Sequence, residues 1–218
     1  MRTILSFIAF LSLSLTAPPV ISANGILVIG DSLSAGYGIE TQQGWVHLLS
    51  ERLAELDRDI EVVNASITGD TTRGGLSRLP AALQRSQPAV VVIALGGNDG
   101  LRGFAPDQTR SNLRQMIQLS RDTGAQVLLL GVRLPANYGQ AFGEKFHRVY
   151  LDLAQEMDVA LVPFFLEGVA ETRALMQPDG IHPSAAAQPR MLDNIWEGLA
   201  PLLAITHSGP STGSADSG

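Results

Sequence analysis

The sequence predicts a doubly wound α/β sandwich, three layers thick, around a five-stranded parallel sheet. Three observations carry that expectation. Short runs rich in apolar residues recur along the chain and are apolar on both faces, as strands buried between two helix layers must be. Longer stretches with apolar residues at three-to-four spacing separate them. Glycine-rich polar clusters follow directly after the strands, where an open α/β sheet places its ligand-binding loops.

The predicted strands are residues 26–29, 60–63, 89–95, 126–130 and 160–163. Helical spacing covers residues 45–56, 72–84, 107–122, 143–157 and 185–203. This alternation leaves little choice of fold class, because parallel neighbours need crossover connections and helices supply them. No repeat of fixed period and no linker-like stretch interrupts residues 24–206, so a single domain is expected there. The chain of 218 residues, 45% hydrophobic and 17% charged, can bury a core of that size without staples.

The two ends read differently. Arg2 precedes an apolar run from Ile4 to Leu15, and the first 23 residues end in Ile21-Ser22-Ala23, the pattern of a signal peptide cut after a small residue. The run is too short to span a bilayer, so a retained anchor is the lesser alternative. Export to the periplasm, with release to the exterior as a variant, is the expected fate. Residues 207–218 are rich in Ser, Gly, Thr and Pro and read as a disordered tail.

Composition removes several classes of function. A net charge of −6, with no Lys/Arg run, gives no footprint for nucleic acid. The absence of cysteine excludes a disulfide framework, a Cys-type zinc site, a thiol nucleophile and a lipoprotein anchor. Gly36-Tyr37-Gly38 lacks the third glycine of a dinucleotide fingerprint, and there is no phosphate-loop pattern.

Four loop segments can do chemistry. Gly30-Asp31-Ser32-Leu33 places Ser32 just beyond the first strand, where by itself a serine is an ordinary turn or cap residue. A serine hydroxyl becomes a nucleophile beside a base. Of four histidines, only His182 lies in a loop with an acidic neighbour. In Asp179-Gly180-Ile181-His182-Pro183 the three-residue spacing across a glycine turn lets the carboxylate reach the imidazole. Gly69 can present an unobstructed backbone N–H, and Asn98, in Gly96-Gly97-Asn98-Asp99, can present a side-chain N–H to a developing oxyanion. Asp31 either hydrogen-bonds neighbouring loop N–H groups and positions Ser32 or caps the turn, and the structural role is favoured.

In order, spacing and loop placement these blocks resemble the SGNH (GDSL) hydrolase family. The segments 64–66, 97–104 and 133–138 are similar to its bacterial thioesterase, lysophospholipase and arylesterase subgroup. The resemblance extends over nearly all of residues 25–204. It implies a flavodoxin-like sheet, Ser32 as nucleophile, Asp179 and His182 as acid and base, and an oxyanion hole from Ser32 N–H, Gly69 N–H and Asn98. It also implies hydrolysis of small acyl esters or thioesters by a monomer, through an acyl-enzyme, with no cofactor and no metal.

Leu134 to Tyr138 are a candidate wall of the acyl site, and Phe142, Phe164, Phe165 and Met176 are candidate lining or core. The alternatives are a carbohydrate acetylesterase, with Trp45 and Tyr138 stacking on sugar rings, a peptidase, or a non-catalytic exported binding protein. An α/β-hydrolase elbow does not fit, because Ser34 stands where that motif needs glycine.

Overall fold

The computed structural model describes residues 25–206. The signal-peptide reading of residues 1–23 and the tail reading of residues 207–218, His207 included, lie outside the described residues. Five parallel strands, β1 (Gly25–Gly30), β2 (Glu61–Asn64), β3 (Val90–Ala94), β4 (Gln126–Leu130) and β5 (Ala160–Val162), form one sheet in the order β2-β1-β3-β4-β5. Every predicted strand is present, β4 with its predicted ends and the others with ends shifted by one residue.

The central strands β1, β3 and β4 are almost wholly buried, so valine, isoleucine and leucine occupy consecutive positions. Five long helices cover the sheet: α2 (Trp45–Glu55), α3 (Thr72–Ser86), α5 (Pro106–Asp122), α6 (Gln140–Met157) and α7 (Gln188–Thr206). α2 packs with α7, while α3, α5 and α6 pack in a row, giving the two outer layers. Helix α7 begins later than the spacing of residues 185–203 predicts, because 185–187 form a separate 3-10 turn.

Two short helices, α1 (Ser32–Ala35) and α4 (Gly97–Leu101), follow β1 and β3 directly and were not predicted. One or two turns carry too few apolar positions for a periodic signal. Their location matters more than their length. β1 and β3 are neighbours, and the connections from β1 to β2 and from β3 to β4 leave toward opposite edges of the sheet. At that point of reversed order the loops part and open a crevice beyond the carboxyl ends of the strands.

Candidate active site

Ser32 is the first residue of α1, with Asp31 as the cap. The Leu33 N–H donates to Asp31 Oδ1 at 3.1 Å, which fixes the turn. Ser32 is only 8% exposed, yet its hydroxyl meets His182 Nε2 at 2.9 Å across 150 residues of sequence. His182 Nδ1 lies 2.7 Å from Asp179 Oδ2. With the ring proton assigned to Nδ1, the imidazole donates to the carboxylate and leaves Nε2 free to accept from Ser32.

Asp179 is held by the loop it serves. Its Oδ1 accepts from the His182 N–H at 3.0 Å and the Ile181 N–H at 2.9 Å. The His182 N–H, then the imidazole, then the Ile181 N–H lower its carboxyl to about 2, so it is ionised at any ordinary pH.

The other carboxylate behaves oppositely. Asp31 is 3% exposed, and burial raises its carboxyl to about 6, against the lowering effect of its bonds to the Leu33 N–H and the Asn98 amide. Asn98 Nδ2 donates one hydrogen to Asp31 Oδ2 at 3.2 Å. Asp31 therefore caps the turn and orients Asn98, leaving the second amide hydrogen of Asn98 without a partner among the described residues.

Helix α4, which carries Asn98, is pinned by its neighbour Asp99, which is 1% exposed and fully satisfied. Asp99 accepts from the Thr72 N–H at 2.8 Å and from the Thr72 hydroxyl, and Asn112 Nδ2 donates to that same hydroxyl at 2.9 Å. These bonds tie α4 to the start of α3 and to α5.

Gly69 lies on the loop after β2, in the left-handed region at φ 78°, a conformation glycine adopts without penalty. The loop is laid against β1 by the Ile67 N–H, which donates to the Gly30 carbonyl at 3.0 Å, and Arg102 Nη2 donates to the Gly69 carbonyl at 2.9 Å. Neither the Gly69 N–H nor the Ser32 N–H has a hydrogen-bond partner among the described residues. The structure thus brings Ser32, Asp179, His182, Asp31 and Asn98 into one bonded chain, and joins Gly69 to it through Arg102 and β1.

The chain of polar groups opens on a cavity of about 700 Å³ whose walls are mainly apolar, Leu33, Leu101, Val132, Leu134, Phe165 and Met176 among them. Phe164, Pro135 and Ala136 also face it, so for Phe164, Phe165 and Met176 the core and pocket readings are both true. The structure decides three readings that the sequence left open. Phe142 packs beside Phe146, with ring centroids 6.0 Å apart, and does not line the cavity. Trp45, the first residue of α2, is fully buried and cannot stack on a sugar. Tyr138 is half-exposed on a 3-10 turn outside the cavity wall.

Sequence reasoning also missed Arg78, Tyr37 and Gln177. Arg78, in α3, donates to the carbonyls of Gly30 (3.1 Å) and Ala65 and pairs with Asp70 at 2.7 Å, joining β1 to the loop that bears Gly69. Its contacts cross 48 and 13 residues, so no local pattern announces them. Among the described residues no cluster of three or more His, Asp or Glu side chains is arranged to hold a metal ion.

A parallel sheet with a serine, a histidine and an aspartate in series at its switch point defines a serine-hydrolase architecture. The chain belongs to the GDSL-like Lipase/Acylhydrolase family, whose model matches residues 28–189. It is 58% identical over 182 residues to the esterase TesA of Pseudomonas aeruginosa (strain ATCC 15692), a match covering 84% of this chain and 90% of that one. It is 47% identical over 194 residues to the thioesterase 1/protease 1/lysophospholipase L1 of Escherichia coli (strain K12), covering 89% and 92%. A crystal structure of the psychrotrophic esterase EstA from Pseudoalteromonas sp., inhibited by monoethylphosphonate, superposes with a TM-score of 0.79 at 36% identity, covering 83% and 99% of the two chains.

Proposed function

We propose that this hydrolase cleaves carboxylic ester and thioester bonds of acyl substrates with Ser32 as nucleophile, His182 as base and Asp179 as its orienting acid. The observation that carries the reading is the unbroken series Asp179–His182–Ser32, at 2.7 and 2.9 Å, ending at the mouth of an apolar cavity. Nε2 takes the Ser32 proton as Oγ attacks the acyl carbon. The ionised Asp179 stabilises the imidazolium so formed. The oxyanion is met by the Ser32 N–H, the Gly69 N–H and the free amide hydrogen of Asn98, three donors spending no bond elsewhere. Fixed donors of this kind need no rearrangement as charge develops.

Collapse of the tetrahedral intermediate expels an alcohol or thiol, which leaves with the proton held by His182. Water then repeats the attack on the acyl-enzyme. The apolar cavity suits the acyl part of the substrate, and all polar groups of the site come from one chain, so a monomer suffices. The mature enzyme is residues 24–206 plus the tail, exported to the periplasm by its 23-residue leader. Among the described residues no helix is long and apolar enough to cross a membrane.

The test is hydrolysis of a short nitrophenyl ester by wild type and Ser32→Ala. We expect the variant to fold with unchanged melting temperature and to lose activity by about 10⁴-fold or more. Turnover at the wild-type rate would end the proposal.

A further inference from the structure

We infer that Gln177 is a positioning residue that holds His182 in place through the second half of the reaction, when the bond to Ser32 no longer can. The inference rests on the reading of His182 as the base.

The base is carried by a loop with no regular secondary structure, and the loop is closed mainly upon itself. Met176 and Pro183 form an isolated antiparallel bridge at its neck. The Gln177 N–H donates to the His182 carbonyl at 2.7 Å, and the Gly180 N–H to the Gln177 carbonyl at 2.9 Å. Among the described residues, only two hydrogen bonds run from residues 176–183 to the nucleophile side of the molecule. One is Ser32–His182 itself. The other is from Gln177 Nε2 to the Tyr37 carbonyl at 2.7 Å. The same amide donates to the Pro183 carbonyl at 3.0 Å, so one NH₂ group bridges the residue after the base and the segment that follows α1.

That segment is shaped for the bridge. Gly38 has φ 75°, and a Cβ there would sit 2.3 Å from Gln177 Oε1, so only glycine leaves room for the amide. The bridge also sets Tyr37, a residue that is 48% exposed but whose ring lies against the imidazole, with centroids 4.4 Å apart and planes tilted by 39°. An aromatic face at that distance restrains the ring and attracts it further when it becomes imidazolium.

The consequence lies in the order of events. Once the acyl group is on Ser32, Oγ has no hydrogen and cannot donate to Nε2, so the first of the two bonds is gone. His182 must nevertheless stand ready to take a proton from water as its oxygen attacks the acyl carbon, and to return that proton to Oγ as the acid departs. During this interval Gln177 and the Tyr37 ring are what still fix the loop to α1. Removing them should slow deacylation more than acylation.

The experiment compares wild type and Gln177→Ala in rapid-mixing hydrolysis of a nitrophenyl ester, with the acyl-enzyme followed by mass after quench. For Gln177→Ala we expect kcat to fall about tenfold, kcat/KM to fall less than threefold, and close to one equivalent of acyl-enzyme to accumulate in the steady state. Tyr37→Leu, altered at an exposed ring, should give the same pattern more weakly, and decides the matter if Gln177→Ala melts far below wild type. Equal losses in acylation and deacylation, or no loss, would overturn the inference. Ser32→Ala run alongside separates the two readings: if it abolishes turnover while Gln177→Ala leaves deacylation untouched, the proposed chemistry stands and this inference fails.

Discussion

The two halves of the site are built by different means. Ser32 follows directly from a strand buried on both faces, on a turn capped by a buried carboxylate and lashed to the adjacent loop by Arg78. Its placement is a by-product of core packing. His182 stands on irregular chain, and its position comes from a few polar contacts: Asp179, the neck of the loop, Gln177 and Tyr37. A group that must hold still can be rooted in the core. A group that must gain and lose a proton is better placed on a loop whose polar contacts leave it in reach of both partners. Damage to the supports beneath the nucleophile should therefore appear as lost stability together with lost activity, whereas damage on the base side, like loss of the Ser32 hydroxyl itself, should appear as lost activity alone.

The largest effect expected on the base side is that of His182→Ala. Turnover should fall by about 10⁴-fold or more, while thermal unfolding shifts by no more than about 2 °C, since the hydrophobic core is left intact. A large drop in melting temperature would break the distinction.

Arg78→Met tests the other side. It leaves Asp70, a largely buried carboxylate, without its ion pair and takes one donor from each of the Gly30 and Ala65 carbonyls. Denaturant unfolding should show a loss of about 3 kcal/mol, and turnover should fall as well because the Gly69 loop is then held to β1 by backbone hydrogen bonds alone.

Asp31→Asn is subtler and depends on pH. Burial raises this carboxyl from 3.8 to about 6, so between those values the folded chain keeps a proton that the unfolded chain has lost. The raised group thus makes stability fall as pH rises through that window, by up to about 3 kcal/mol. Asp179 has the opposite sign: its lowered carboxyl contributes stability above pH 3.8 that is lost as pH falls toward 2. Asp31→Asn should flatten the fall between pH 4 and 6 in pH-dependent melting, and should lower kcat because one acceptor for Leu33 or Asn98 is lost. An unchanged pH profile would show that the carboxyl is not raised.

Much of this architecture was legible because the sheet writes itself in runs of apolar residues: β4 matches its predicted span at both ends, and β1 and β3 differ by a residue or so. The helices α1 and α4 were not, because their identity comes from caps and from contacts across the sheet. The Asp179–His182 contact is local and follows from three-residue spacing around Gly180. The reach from His182 to Ser32 is not local; it is inferred because a nucleophilic serine needs a base and His182 is the one histidine in a loop with an acidic neighbour, and likeness to a family then supports it. Gln177, Tyr37 and Arg78 escaped because each acts through partners 140, 145 and 48 residues away, and no spacing rule spans such distances. Trp45 stayed undecided because a large aromatic can serve a binding face or a core, and sequence does not distinguish the two.

The central claim is that Ser32 is the nucleophile made reactive by His182. It is tested most directly by treating the folded protein with an alkyl fluorophosphonate and measuring intact mass, then mapping the modified peptide. The account predicts one adduct per chain, on Ser32, lost in Ser32→Ala and formed at least about 10³-fold more slowly in His182→Ala. An adduct on any other residue, or labelling of His182→Ala at the wild-type rate, would contradict it.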